Sequence, residues 1–240
     1  MNINSHCIVV GDLTVDVIRK DIKNLHLGVY PPQGRVRVAV PLLVNDEMIR
    51  LAIIQKLSWI KRQQSRFQSQ PRQSQREMVD GESHYFMGQR YRLVVTEHNA
   101  PPKVVVRDHS FMDLFVRPHT TVDQRQQVLH DWYRVQLGMI IPPLLDKWQR
   151  VLGVQVADWR IRRMKTRWGS CVIQAKRIWF NLELAKKPLQ QLEYVVVHEL
   201  AHLLERGHGD RFIAILDRVM PQWRYHRDAL NHSVLGHDSW

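Results

Sequence analysis

Residues 195–208 read V-V-V-H-E-L-A-H-L-L-E-R-G-H and combine three histidines and two glutamates with many apolar residues. His198 and His202 are four residues apart, so on a helix both imidazoles project from one face. Two imidazoles in this arrangement can bind one zinc ion at about 2.0–2.1 Å each. Glu199 follows the first histidine directly, where its carboxylate can accept a proton from a zinc-bound water. The segment therefore predicts a metal ion, an activated water and a general base.

The apolar neighbours of these polar residues argue against a chance motif. They predict a central, buried helix, in which two histidines and a glutamate without partners would be costly to bury. A bound metal ion removes that cost. The apolar neighbours are Leu192, Val195, Val196, Leu200 and Leu203.

A third ligand is expected because catalytic zinc usually has three protein ligands and one open position. His208 lies six residues after His202, as in H-E-x-x-H-x-x-G-x-x-H metalloproteases. Where that pattern has its glycine, this chain has Glu205. We therefore predict His208 as the ligand, on a helix that runs one turn longer and reverses at Gly207. The alternative third ligands are Glu205, Asp210, His226 and His232.

A second cluster, R-I-R-R-M-K-T-R-W-G-S-C at residues 160–171, precedes this helix. One interpretation is a strand with a solvated basic face and a tryptophan in the core. The other is an edge strand beside the metal that presents backbone groups or positive charge to a substrate. Cys171 is interpreted as a small core residue, because the chain has no C-x-x-C pair. The second interpretation makes substrate-binding candidates of Arg167, Trp168, Gly169 and Ser170.

The chain before residue 118 is predicted to be rich in strands. Residues 35–40, R-V-R-V-A-V, alternate with period two, as a half-buried strand does. A helix is predicted over residues 46–66, with Asn45 as its N-cap. The Gln-, Ser- and Arg-rich sequence that follows predicts an exposed polar excursion near residues 62–84. Further strands are predicted at residues 91–96, 103–107 and 112–116.

The chain from residue 118 is predicted to be α+β. Helical spacing begins at Thr121, and Pro142 and Pro143 are expected to bend or end that helix. We expect a β-rich part over residues 1–117, then an α+β part over residues 118–240, and no internal repeat is evident. Strands are predicted at residues 154–164 and 177–181, and helices at residues 189–204, 210–220 and 222–231.

Charge and cysteine content indicate which partners and which cellular location the protein has. The 240 residues include 35 Lys and Arg against 23 Asp and Glu, a formal net charge of +12 that should attract nucleic acid, other polyanions or acidic substrates. Cys7 and Cys171 cannot form a disulfide framework. The N-terminus lacks a basic region before an apolar run, and no stretch approaches the ~18–20 apolar residues of a membrane span. We expect a cytoplasmic protein without a membrane segment; its oligomeric state is not indicated.

Four motifs together resemble the YgjP-like zinc metallopeptidase family, which is related to the SprT-like and WLM-type zincins. The resemblance is most specific over residues 160–223 and extends loosely over most of the chain. It implies a zincin-like α+β fold, with a twisted sheet packed on the H-E-x-x-H helix. It also implies zinc ligands at His198, His202 and His208, with Glu199 catalytic. The motifs are R-W-G-S-C (167–171), I-W-F-N-L-E-L (178–184), Y-V-V-V-H-E-L-A-H (194–202) and H-G-D-R-F (208–212).

The leading hypothesis is a zinc-dependent metallopeptidase with one zinc ion per chain. Water activated by Glu199 would attack the scissile bond of a peptide or protein substrate. One alternative is a metal-dependent nucleotide phosphohydrolase, a pyrophosphatase, because the basic strand would lie beside the metal. The other alternative is a nucleic-acid-associated module whose zinc is structural.

Overall fold

The computed structural model describes residues 4–30, 34–69 and 76–232. The chain divides into two compact units, Met1–Arg72 and Gln73–Trp240. Among the described residues, no helix is both long enough and apolar enough to cross a membrane.

The first unit is a four-stranded sheet followed by two helices. The sheet order is β1-β2-β4-β3, with a parallel pair in the middle and antiparallel pairs outside. Alternate residues of β4 are buried against α1, which confirms the period-two prediction. The elements are β1 (Asn4–Val10), β2 (Leu13–Lys20), β3 (His26–Tyr30), β4 (Arg35–Pro41), α1 (Asp46–Gln55) and α2 (Leu57–Ser69).

The predicted helix of this unit is confirmed at its start and wrong at its end. The Asn45 side chain accepts a hydrogen bond from the backbone N–H of Met48 at 2.9 Å, as an N-cap does. The chain then forms two helices, and the second continues to Ser69, into the expected polar excursion. Gln and Arg are good helix formers, so a polar composition does not by itself exclude a helix. The rest of the excursion up to residue 75 lies outside the described residues.

The second unit begins with a second four-stranded sheet. Its order is β5-β6-β8-β7, and the three predicted strands at 91–96, 103–107 and 112–116 are confirmed. Leu93, Met112 and Leu114 are buried in one core with residues of the following helix. The compact unit therefore includes these strands, whereas the predicted division fell after residue 117. The elements are β5 (Ser83–Phe86), β6 (Gln89–Glu97), β7 (Lys103–Arg107), β8 (Phe111–Val116) and α3 (Val122–Leu152).

The two four-stranded sheets repeat one topology, which the sequence does not reveal. In each, the first and second strands are antiparallel, the second and fourth parallel, and the third and fourth antiparallel. A helix capped by a polar side chain, Asn45 or Thr121, follows each sheet. Strand order depends on the pattern of buried residues and on the positions of the turns, and not on particular residue types. Two segments can therefore share a sheet topology without recognisable sequence identity.

The prolines Pro142 and Pro143 were expected to bend or end helix α3; the helix passes through both, so an end there is wrong, and a bend stays a prediction. Its buried stripe continues across them, because Leu137, Ile141 and Leu145 all lie in the core. The helix ends instead at Gly153, whose φ of 66° is the left-handed C-cap conformation that glycine adopts readily.

The rest of the second unit is a three-stranded sheet and three helices. The sheet order is β10-β11-β9, so β10 is an edge strand, and it packs against α4. The predicted α+β class, with a sheet against the H-E-x-x-H helix, is confirmed. Strand β9 is shorter than the predicted 154–164. The elements are β9 (Asp158–Arg162), β10 (Gly169–Val172), β11 (Arg177–Asn181), a 3₁₀ helix (Leu182–Lys186), α4 (Leu189–Ala201), α5 (Asp210–Val219) and α6 (Trp223–His232).

Candidate metal centre

The histidines His198, His202 and His208 come together at the C-terminal end of α4. One nitrogen from each lies within 4.8 Å of the others, and the Nε2 atoms of His198 and His208 are 3.2 Å apart. Two nitrogens bound to one tetrahedral zinc at about 2.0–2.1 Å are separated by roughly 3.3 Å. The spacing of His198 and His208 therefore fits a zinc ion, and the nitrogen of His202 lies near enough to join them.

Hydrogen bonds on the other ring nitrogens orient two of these imidazoles. Nδ1 of His202 donates to the backbone oxygen of Glu205 at 3.2 Å, and a carbonyl can only accept. In the neutral ring Nε2 then carries the free lone pair that a metal requires. Nδ1 of His198 lies 3.3 Å from the Tyr194 hydroxyl, which can fix that ring in the same way.

Burial keeps the imidazoles of His198 and His202 neutral, as metal ligands must be. Desolvation lowers the pKa of His198 to about 3, with smaller contributions from His202 and His208. Desolvation also lowers the pKa of His202. These two side chains thus present unprotonated nitrogens at neutral pH.

The other candidate ligands do not join this group. Among the described residues, the three histidines form the only set of three or more His, Cys, Asp or Glu ligand atoms at such distances. Glu205 instead accepts a hydrogen bond from the backbone N–H of Gly207 at 3.4 Å. Asp210 and His226 lie outside the group, and the side chain of His232 lies outside the described residues.

The chain reverses earlier than predicted between the second and third histidines. Helix α4 ends at Ala201, and the backbone N–H groups of Leu204 and Glu205 both donate to the Ala201 carbonyl, at 3.0 and 2.9 Å. This turn starts the reversal at His202, so the predicted extra helical turn is wrong. An irregular segment containing Gly207 then returns His208 to the site.

Glu199 is buried beside the histidines, with 5% of its surface exposed. Burial raises the pKa of its carboxyl to about 8, and the nearby charge of Arg167 opposes that rise. A divalent cation at the three histidines would act in the same direction as Arg167. It would lower the pKa of Glu199 from its raised value, because an opposite charge favours the carboxylate. The residues present therefore suit a metal that keeps Glu199 ionised.

All four candidate substrate-binding residues lie in the cleft that contains the histidines and Glu199. The cleft has a volume of about 910 Å³. Cys171 also lines it and packs against the core, and burial raises the pKa of its thiol to about 11. Its thiol is therefore protonated at neutral pH, which agrees with the interpretation as a small packed residue. The candidates are Arg167, Trp168, Gly169 and Ser170.

Two aromatic residues of the site were missed as functional candidates. Phe212 is buried and its ring centroid lies 4.7–5.0 Å from those of all three histidines. Tyr194 lies one helical turn before His198 and contacts its ring. The i, i+4 spacing from Tyr194 to His198 could have indicated the second contact. The packing of Phe212 depends on the reversal after α4 and has no such signal.

The fold and the site together define a class of protein: an α+β protein with three clustered histidines, able to hold a metal ion, at the end of an H-E-x-x-H helix. A family model described as "YgjP-like, metallopeptidase domain" matches residues 23–233. This chain therefore belongs to the YgjP-like metallopeptidase family, as the motifs predicted. Family membership makes it a metal-dependent hydrolytic enzyme.

Two solved structures are similar to part of the chain, and both are described as metallopeptidase zymogens. Abylysin from Pyrococcus abyssi is 22% identical over 40% of this chain and 97% of its own, with a TM-score of 0.37. Jannalysin from Methanocaldococcus jannaschii is 19% identical over 38% of this chain and 92% of its own, with a TM-score of 0.34. No curated protein matches the chain.

Proposed function

We propose that this enzyme is a zinc-dependent peptidase with one zinc ion, held by His198, His202 and His208, and with Glu199 as its general base. The observation that supports it most is the joint placement of three imidazoles and a buried carboxylate in one cleft. A zinc ion bound there supplies a Lewis acid, which lowers the pKa of water and polarises a carbonyl.

Glu199 is the proton acceptor in this proposal. Among the residues that the structure describes, it is the only acidic side chain that lines the cleft, and it lies on the helix that carries two of the ligands. Its carboxylate takes a proton from the attacking water and can return it to the leaving amine. Burial excludes competing solvent, so the proton stays at the carboxylate between the two transfers.

Strand β10 is the proposed docking site for the substrate backbone. It is an edge strand, paired on one side with β11, and it lines the cleft beside α4. An extended peptide can add to such an edge through main-chain hydrogen bonds. We therefore propose that Gly169 and Ser170 contact the peptide backbone and that Arg167 and Trp168 contact side chains of a peptide or protein substrate.

Arginines in the cleft favour a second candidate function, hydrolysis of nucleotide phosphoanhydrides. Arg167, Arg206 and Arg227 line the cleft, and a phosphate-bearing substrate would suit their charge. Peptide hydrolysis should depend on zinc and act on unstructured protein. Phosphoanhydride hydrolysis should release phosphate or pyrophosphate and can use magnesium or manganese.

The deciding variant is Glu199→Gln, which keeps the size of the side chain and removes the base. We expect zinc content and melting temperature to stay unchanged, and peptide hydrolysis to fall by roughly 10²–10⁴-fold. The matched control is Glu205→Gln, which changes a nearby carboxylate outside the cleft lining and should keep full activity. His208→Ala should lose both zinc and activity.

Two outcomes would contradict the peptidase proposal. Loss of zinc in Glu199→Gln would make the carboxylate a ligand. Full activity with zinc retained would exclude it as the base.

If salt-sensitive DNA binding survived in that variant and no hydrolysis were found in the unmodified protein, the nucleic-acid-associated module would be the better function. We further propose a cytoplasmic location, since both cysteines are free.

A further inference from the structure

The loop of residues 163–168, between β9 and β10, forms part of the wall of the cleft. It has no regular secondary structure. It nevertheless delivers Arg167 and Trp168 to the cleft and leads directly into Gly169, which faces Glu199. The backbone N–H and C=O groups of such a loop are not paired within a helix or a sheet, so they need other hydrogen-bond partners.

The side-chain amide of Asn181 makes four hydrogen bonds, and three of them are to backbone groups of this loop. Nδ2 donates to the backbone oxygens of Met164 at 2.8 Å and Arg167 at 2.7 Å. Oδ1 accepts from the backbone N–H groups of Met164 and Glu183, both at 3.2 Å. A side-chain amide has two donors and two acceptor lone pairs, so all four positions are used. The residue itself is 0% exposed, so its amide contacts protein groups and not solvent.

The backbone of Asn181 is tied to the same place. Asn181 ends β11, where its partner in β9 is Arg162. Its backbone N–H donates to the carbonyl of Trp168 at 2.9 Å, just before β10 begins. Side chain and backbone thus connect both ends of the loop to the central strand of the sheet.

No other side chain of similar size meets these requirements. Leucine would remove the partner of two carbonyls and two N–H groups at once, and polar groups left without a partner on folding destabilise the folded chain. Aspartate would keep the two acceptors but would set a carboxylate oxygen against two carbonyl oxygens. The site therefore requires an amide of this length.

We propose that Asn181 is a positioning residue of the active site, which holds the loop of residues 163–168 and thereby fixes β10 against Glu199. Asn181 is not among the residues that line the cleft, so it acts through Arg167 and Gly169. The kinetic part of the proposal rests on the proposed peptidase function. The structural part, that Asn181 fixes the loop, does not rest on it, because these hydrogen bonds are present whatever reaction the enzyme catalyses.

The test compares Asn181→Ala with Tyr133→Phe. Tyr133 is also buried in the second unit, and its hydroxyl donates to the carbonyl of Tyr85 at 2.7 Å, outside the cleft lining. Each variant loses buried side-chain to backbone hydrogen bonding. The measurements are zinc content, melting temperature, kcat and KM on an unstructured peptide, and hydrogen exchange over residues 163–170 and over α4.

For Asn181→Ala we expect zinc to be retained, kcat/KM to fall roughly 10- to 100-fold, and exchange over residues 163–170 to rise with α4 unchanged. For Tyr133→Phe we expect a lower melting temperature with kcat/KM and loop exchange unchanged. If the alanine variant does not fold, Asn181→Asp takes its place, since it keeps the two acceptors.

The proposal is overturned if kcat/KM stays within twofold in a folded Asn181 variant, or if exchange in the loop does not rise. It is also overturned if Tyr133→Phe loses as much activity, because stability alone would then explain the loss. If the unmodified protein cleaves no peptide, the peptidase function fails, and loop exchange still decides whether Asn181 holds the loop.

Discussion

The carboxylate of Glu199 lies where a side chain at position 169 would begin. A Cβ placed on Gly169 would overlap Oε1 of Glu199 and would lie 2.7 Å from its Cγ, closer than such atoms approach in real proteins. Glycine therefore lets the proposed base lie directly over the edge strand. The same contact joins the two motifs of the chain, R-W-G-S-C and H-E-x-x-H.

Gly169→Ala should push the Glu199 carboxylate away from the backbone of β10. We expect zinc binding to persist, because no ligand is displaced, and kcat/KM to fall about 10²-fold, as misplacement of a catalytic group by about 1 Å can cause. The measurements are zinc content and steady-state kinetics. Gly207→Ala is the control: it lies in the ligand-bearing segment, its Cβ would meet nothing within 4 Å, and it should keep its activity. Equal activity of both variants would contradict the close fit.

Single residues of the site differ in how far sequence alone predicts them. The i, i+4 spacing of His198 and His202 needs only a helix, so it could be read directly. The roles of Gly169 and Asn181 depend on contacts between segments far apart in the chain. The main partners of Asn181 are backbone groups, which every residue carries, so no pairing of side chains in the sequence could have revealed them.

At the scale of elements, α3 shows how tertiary packing overrides a local signal. Each proline removes one N–H and crowds the carbonyl four residues earlier. For Pro143 that carbonyl belongs to Met139, and both residues are exposed, so water can satisfy the carbonyl. The buried stripe on the opposite face continues through Ile141 and Leu145 and holds the helix together.

Pro143→Ala should therefore stabilise the protein. Alanine restores the N–H donor to the Met139 carbonyl and removes the crowding. Proline costs about 3 kcal/mol in a helix interior, and the smaller entropy of its unfolded chain returns about 0.4–1 kcal/mol. We expect a net gain of about 2 kcal/mol in the free energy of unfolding, measured by denaturant titration. Val135→Ala, exposed on the same helix, should change it by less than about 0.5 kcal/mol. A lower stability of Pro143→Ala would show that the helix depends on the proline.

Elements were predictable where burial alternates and less so where the chain turns. Strands β4, β7 and β8 follow period-two patterns, because one face of each is buried. The end of α4 was misplaced because it depends on two N–H groups that converge on the Ala201 carbonyl. The repeated topology of the two four-stranded sheets was invisible, since strand order is set by pairing and not by residue identity.

At the scale of the whole molecule, each unit has its own core. The buried apolar residues of the first unit, from Ile8 to Ile60, form one cluster, and those from Met78 to Leu230 form another. The three histidines and Glu199 all belong to the second unit. The sequence indicated a β-rich part before the metal site but placed the division at residue 117, because a strand prediction cannot show which core a strand joins.

Removal of zinc should therefore loosen the second unit selectively. A metal that binds only the folded unit stabilises it by RT ln(1 + [L]/Kd), about 4 kcal/mol at a free zinc concentration 1,000 times Kd. After chelation we expect faster hydrogen exchange in α4 and in the segment leading to His208, and unchanged exchange in β2 and β4. His202→Ala is the control: it lacks a ligand, so a chelator should change its exchange little in either unit. If chelation accelerated exchange equally in both units, stability would be shared across the molecule. If α4 did not respond while zinc was lost, the metal would not contribute to the stability of the fold around it.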